Sequence, residues 1–366
     1  MKIIGIGNAL LDVLLRLDSD ETLTEMGIKK GAMDLIDESK MIEIQKAQSG
    51  LQRTEAPGGS VCNTMRTLAR LGAEAGLLNR AMVSHRAVTR GNGVKNGPSD
   101  TEVRTANDRI AAFDVGYIGK VGNDRIAAFY VEETIKAGVT PFFVRTEGIS
   151  GCSTVLISPD GERTMATFLG PAATLTDDEV AGEILQQYDC LYLEGYLISN
   201  EKLFLPVLKR AKSMGLKVAL DLSNFNIVNG FRDFLKEVIP AYVDILFSNE
   251  SEACAYTGLP AIEAIDVIAQ DVEISVVTVG KDGVWAKQGD RKVQDVAISN
   301  NVVDTTGAGD NFAAGFLFGY ALDATLEQSV RIGSLLSGNV IETVGAQIPD
   351  ERWSQIMLNF EGIRKK

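Results

Sequence analysis

Between residues 190 and 279 the chain repeats one pattern: a short, wholly apolar run of β-forming residues followed by a stretch with helical spacing. The runs are Cys190–Leu193, Val218–Leu220, Ile245–Phe247 and Ile274–Val279. A strand that is apolar on both faces must be covered on both faces. That requires a parallel sheet with crossover helices on each side. The helical stretches Asn200–Met214 and Asn249–Thr257 are closed by Gly215 and Gly258, where a left-handed residue ends a helix. The expected fold is α/β and doubly wound, with a mostly parallel sheet. At 366 residues the chain is read as a single domain spanning 1–366.

Four short runs fall outside this alternation: 11–17, 32–36, 153–157 and 163–168. The last two are joined through Pro159-Asp160-Gly161-Glu162, a hairpin turn. They are expected to form a small separate β-sheet, a lid able to exclude water from a site on the main body. Residues 79–114 are expected to form an irregular surface insertion. This segment carries six basic and four acidic residues and ends in a duplication, with NDRIAAF at Asn107–Phe113 and again at Asn123–Phe129. Its role stays open between an incidental insertion and a basic loop that helps hold phosphate.

Composition narrows the partners. With 36 Lys+Arg against 49 Asp+Glu the net charge is −13, which repels nucleic acid and anionic membrane surfaces. Small anions can bind only where backbone amides or a cation reverse the field locally. The four cysteines form no C-x-x-C pair, and the single histidine, His85, rules out clustered histidine metal sites. No apolar stretch approaches 18 residues, and the opening MKIIGIGNALLD is too short and glycine-broken for a signal segment. The expected location is cytoplasmic.

The residues with the strongest chemical content are Asp304-Thr305-Thr306-Gly307-Ala308-Gly309-Asp310. They are expected to pass from an extended Val302-Val303 into a helix, with Asp310 in its first turn. Amides there have no intrahelical partner and carry the positive end of the helix dipole, so they form an anion site. Asp310 is then placed to take the proton of a substrate hydroxyl. A carboxylate at a helix N-terminus should be a weak base, yet the loose transition state of phosphoryl transfer tolerates one. The alternative role for Asp310 is helix capping.

A second candidate is Pro57-Gly58-Gly59-Ser60-Val61-Cys62-Asn63, a glycine pair opening a helix expected to reach Leu71-Gly72. Asn63 can donate to and accept from vicinal hydroxyls. Asp12, in GNALLD, can accept two hydroxyl bonds, or it can be a solvated loop acid. Asn249 and Glu252 share a helix face. They suit magnesium, which favours a few oxygen ligands and retained waters, or they form a capping box.

Taken together these motifs resemble the ribokinase-like, or phosphofructokinase B, family of sugar and nucleoside kinases. The resemblance rests on GNALLD, Gly58-Gly59 with Asn63, Gly119-Lys120-Val121-Gly122-Asn123-Asp124, Asn249-Glu250-Ser251-Glu252, Thr278-Val279-Gly280-Lys281-Asp282-Gly283 and the DTTGAGD segment, in family order. It implies Asp310 as catalytic base, Gly307, Ala308 and Gly309 as the anion hole, and Asp12, Gly58, Gly59 and Asn63 as substrate contacts. It further implies that Asn249 and Glu252 organise Mg2+ and phosphate, that Thr278, Gly280 and Gly283 border ATP, and that Asn339 lies near the adenine. Carbonyls around Asp304 and Thr306 would hold a monovalent cation such as K+.

The insertion departs from the family pattern. Ala75-Gly76-Leu77-Leu78 and Val115-Gly116-Tyr117-Ile118 compete for one strand position. Within the family, the GNALLDV opening and the KGAMDLID segment look most like bacterial proteins called adenosine kinase or putative sugar kinase, and less like generic ribokinases and fructokinases. Met33, Leu35 and Phe168, on the lid runs, could stack a base or simply pack the lid, and Arg163 could reach phosphate or solvent. The leading expectation is therefore ATP-dependent phosphorylation of a purine nucleoside such as adenosine, with a free sugar or sugar acid as the alternative acceptor. A dinucleotide enzyme is disfavoured because Gly5-x-Gly7 lacks its third glycine, Leu10 standing there. A non-catalytic sensor on the same scaffold is disfavoured by the intact Asp310. A monomer with a closing lid and a homodimer covering the lid both fit.

Overall fold

The computed structural model describes residues 1–31, 33–47, 53–89, 108–111, 113–299 and 301–365. Seven neighbouring strands of the main sheet run parallel: β1 (Lys2–Ile6), β5 (Asp114–Val121), β6 (Thr140–Arg145), β9 (Cys190–Glu194), β10 (Lys217–Asp221), β11 (Ile245–Asn249) and β12 (Ile274–Thr278). Two antiparallel strands, β13 (Val284–Gln288) and β14 (Arg291–Asp295), extend one edge. The order is β14-β13-β12-β11-β10-β9-β1-β5-β6. Strands such as β9 are buried along their whole length because a separate apolar layer covers each face of the sheet. This is the doubly wound architecture that the wholly apolar runs predict.

The chain winds outward from β1 in both directions, so a crevice opens between β1 and β9 at the carboxyl ends of the strands. Asn8 follows β1, and Glu194, Asp221, Asn249 and Thr278 are the last residues of β9, β10, β11 and β12. One end of the sheet thus gathers residues dispersed over the sequence.

A second sheet of five strands runs in the order β3 (Met33–Leu35), β8 (Arg163–Phe168), β7 (Gly151–Ile157), β2 (Leu10–Arg16), β4 (Arg53–Gly58). Its Leu11, Val13 and Leu15 face packs with Leu23, Met41 and Ile44 of two short helices into a core of its own. Of the residues expected in the second lid run, Ala32 lies outside the described set. Strand β4 was not anticipated: RTEAPG has two exposed polar residues, Arg53 and Thr54, and a proline, which fit an edge strand and hide the pattern.

Two local expectations are corrected. The helix opened by Gly58-Gly59 runs as one element, Ser60–Thr89, through the start of the segment expected to be irregular. Gly72 is no stop signal there, because a side chain at that position would overlap the Phe113 ring. Ala75 to Leu78 are accordingly helical, and Val115–Ile118 takes the strand position between β1 and β6. Residues 108–111 are helical, while 90–107, including the first residue of the duplicated motif, lie outside the described residues. The second correction concerns Val302 and Val303, which form no strand and are half exposed. Their segment is tied instead to the Ile341 carbonyl, through the amides of Val303 (2.7 Å) and Asp304 (3.1 Å).

Candidate active site

A cavity of about 990 Å³ lies between the two sheets. Asp12, Met33 and Leu35 line it from the small sheet, and Gly59, Asn63, Glu194, Asp221, Asn249, Glu252, Thr278 and residues 305–310 line it from the body. Asp310 therefore faces open space rather than packed protein.

The DTTGAGD turn is built from the backbone outward. Gly307 caps the Ala308–Ala321 helix in the left-handed region at φ +72°, and a Cβ on it would strike Ala346. The first i to i−4 bond is Asn311 N–H to the Gly307 carbonyl at 2.9 Å, so the amides of Gly309 and Asp310 precede the helical ladder. The Ala308 amide is turned back onto the Thr305 carbonyl (3.2 Å), which removes one of the donors expected for an anion. Asn311, fully buried, braces the turn by donating to the carbonyls of Gly307 (2.8 Å) and Ala346 (2.9 Å) and accepting from Thr67 (2.9 Å).

Asp310 meets the glycine-pair helix directly. Ser60 Oγ donates to Asp310 Oδ1 at 2.6 Å, and Asn63 Nδ2 donates to Asp310 Oδ2 at 3.0 Å. Burial raises the Asp310 carboxyl to about 6, against these two hydrogen bonds, which pull it down. A helix N-terminus by itself would lower it, as the sequence leads one to expect. Desolvation at the cavity floor wins, leaving a stronger base than a surface carboxylate.

Asp12 sits on β2 rather than in a loop, and it is held at about 7 by burial and by the neighbouring Asp310 charge, with Arg163 and Arg66 opposing. Glu194, buried, is raised to about 7 by desolvation while it accepts from the Asn8 amide (2.8 Å), Asn8 Nδ2 (2.7 Å) and the Val61 amide (3.1 Å). Asp221 and Glu252 are also raised, by burial first.

Asn249 and Glu252 form the reciprocal capping box: Asn249 Oδ1 accepts from the Glu252 amide (3.0 Å), and Glu252 accepts from the Asn249 amide (2.8 Å) and Nδ2 (2.7 Å). The box also brings Glu252 to the cavity wall. Asp304 accepts from the amides of Thr306 (3.0 Å) and Gly345 (2.6 Å), and Arg163 from β8 donates to both the Asp304 carboxylate and the Thr306 hydroxyl. Arg163 therefore reaches the DTTGAGD turn itself, not solvent.

Several expected contacts do not line the cavity. Phe168 packs against the core of the small sheet, and Asn339 turns its amide back onto the Leu335 carbonyl (2.8 Å). Gly280 and Gly283 shape the β12–β13 connection, where Val279 N–H meets the Gly283 carbonyl at 2.8 Å. Neither they nor Gly58 reach the cavity wall. Ser60, Glu194 and Asp221 were missed. Ser60 stood inside the quoted glycine motif, and the other two end strands that the apolar runs already marked.

Among the described residues no helix is long and apolar enough to cross a membrane. The sequence profile of the pfkB family carbohydrate kinases matches residues 108–353. An uncharacterized sugar kinase of Archaeoglobus fulgidus is 31% identical over 236 residues, covering 64% of this chain and 94% of that protein. The adenosine kinase of Saccharomyces cerevisiae is 29% identical, over 71% of this chain and 82% of its own. The crystal structure of adenosine kinase from Sinorhizobium meliloti superposes with a TM-score of 0.77 at 29% identity, covering 98% of both chains. With the ribokinase-like fold, the DTTGAGD turn and these matches in place, the chain belongs to the pfkB family of carbohydrate kinases, phosphotransferases that act on an alcohol group.

Proposed function

We propose that this kinase transfers the γ-phosphoryl group of ATP to the hydroxymethyl group of a ribose-containing acceptor, in first place adenosine or a related purine nucleoside. The observation that carries this reading is the convergence of Asp310, Asn63 and Asp12 on one cavity whose mouth is lined by the exposed apolar side chains of Met33 and Leu35. Asp12 and Asn63 suit vicinal sugar hydroxyls, and the apolar rim suits the face of a base. Resemblance to proteins named adenosine kinase supports the same choice.

In this reading Asp310 accepts the proton of the attacking hydroxyl as its oxygen bonds to phosphorus and the bond to ADP breaks. The amides of Gly309 and Asp310 stabilise the charge on the transferred group. The small sheet acts as a lid, and Arg163 brings a cation to the turn.

Five carboxylates facing one space repel a triphosphate unless cations offset them. Magnesium fits that need: Glu252 offers buried carboxylate oxygens at the cavity wall beside Asn249, suited to a water-mediated ion. When bound, it would neutralise phosphate charge. A potassium ion would rest on the main-chain carbonyls around Asp304 and Thr306, since the side chains of both are engaged by the Arg163 guanidinium.

A free sugar or sugar acid is the second reading, favoured by the 31% identity to a protein named as a sugar kinase. A coupled ADP-release assay over adenosine, inosine, ribose, fructose and 2-keto-3-deoxygluconate decides between them. Turnover of a free sugar with none of adenosine would overturn the first choice.

A further inference from the structure

The Gly119–Asp124 segment helps to mark the family, yet the chemistry above gives it no task. It lies where the small sheet joins the body. Strand β7 begins at Gly151, immediately after Ser150, and strand β8 ends at Phe168, one residue short of the 3-10 turn Gly170–Thr174. These are the two roots of the hairpin that carries Arg163.

Asp124 pins the first root directly, and Lys120 holds the far end of the turn that follows the second. Asp124 accepts from the Ser150 amide (2.8 Å) and hydroxyl (2.7 Å), and the Ser150 hydroxyl in turn accepts from the Gly122 amide (2.9 Å). Ser150 is 1% exposed, so these bonds are shielded from water. Lys120, also buried, donates to the Thr174 carbonyl (3.2 Å) and to both oxygens of Glu179 (2.7 and 2.9 Å), just beyond the other root. Gly122 permits the arrangement, since a Cβ on it would overlap the Gly148 carbonyl oxygen. Beside them Gly151 packs against the backbones of Ala9 and Leu169, so three connections between sheet and body run side by side.

We propose that Gly119–Asp124 is the fulcrum of the lid hairpin, with Lys120 and Asp124 as positioning residues that act on Arg163 through β7 and β8. Arg163 stands five residues from the Phe168 end of its strand, about 17 Å at the rise of an extended chain. A small tilt at the roots is therefore magnified at the catalytic turn. This rests on the reading of the small sheet as a lid, but its decisive test needs no substrate.

The test is amide hydrogen exchange on the full-length protein, comparing the parent with Asp124→Ala, Ser150→Ala, Ser150→Thr and Lys120→Met. Ser150→Ala leaves the Asp124 cap on the Ala127 amide (2.9 Å) intact and so spares the following helix. The expected result is about tenfold faster exchange in 151–157 and 163–168 for Ser150→Ala and Lys120→Met, with β9 and β12 unchanged and Ser150→Thr restoring the parent rates. An apparent affinity scales with the fraction of competent, closed protein, so KM for the acceptor should rise about tenfold with kcat changed less than threefold. Hairpin rates within twofold of the parent in both variants, or equal acceleration of hairpin and body strands, would overturn the proposal. Failure of every acceptor to turn over would count against the kinase substrate and leave the exchange result to decide the fulcrum.

Discussion

Asn63 and Asp310, 247 positions apart in the chain, are joined by a 3.0 Å hydrogen bond from the Asn63 amide group to the Asp310 carboxylate. The bond ties the N-terminus of one long helix to that of another, and it sets the acid where a hydroxyl held by Asn63 would meet it. Asp310→Asn keeps the shape of that contact and removes the proton acceptor. It should lower kcat by about 10²- to 10⁴-fold, the usual worth of a general base, with acceptor binding by calorimetry near that of the parent. Equal turnover by the variant would refute the assignment.

The pH profile follows from the same carboxyl. Asp310 sits at about 6, raised by burial, and only its ionised form accepts a proton. Activity should fall about tenfold per unit below pH 6 and level off above pH 7. The Ser60 hydroxyl donates to the carboxylate and favours the charged form, so Ser60→Ala should move the midpoint upward. A midpoint unchanged or lowered in Ser60→Ala would contradict this account.

Asp12 makes a prediction about stability instead. Its folded pKa of about 7 stands above the ordinary value of 3.8 because burial opposes its charge. A folded state that holds its proton more tightly than the unfolded state loses stability as pH rises through that interval, from about 4 to 7. Asp12→Asn removes this loss. Thermal unfolding should show the variant more stable than the parent at pH 8, with a smaller gain at pH 5, while KM for the acceptor rises.

Much of this site is legible in the sequence, for reasons that differ by residue. Gly307, Gly309 and Asp310 stand out because a close-approach turn demands glycine at fixed spacing from an acid. The parallel strands stand out because burial on both faces leaves unbroken apolar runs. Glu194 and Asp221 do not stand out, since strand order alone decides which strand ends share a crevice. The Ser60–Thr89 helix overran its expected end because Gly72 answers to the Phe113 ring, a contact made by a residue 41 positions later. Of the two roles open to Phe168, stacking a base or packing the small sheet, the structure shows the second.

The Arg163 pair should behave as a partly buried ion pair. Side-chain exposure is 20% for Arg163 and 6% for Asp304. Arg163→Met would leave Asp304 with only the Thr306 and Gly345 amides, at a cost of about 1–3 kcal/mol in urea denaturation. Arg163→Lys should recover less than half of that, because a single ammonium cannot span the Asp304 carboxylate and the Thr306 hydroxyl as the guanidinium fork does. Full recovery by lysine would show that charge alone matters there.

The crevice takes one side chain from the end of each of four neighbouring strands, β9 to β12. They are not interchangeable parts: Glu194 also ties Asn8 to Val61, Asn249 caps the helix that carries Glu252, and the charge of Asp221 is felt together with those of Glu252, Asp310 and Glu194. A replacement at one strand end is therefore transmitted to its neighbours, so the crevice evolves as one coupled unit rather than residue by residue.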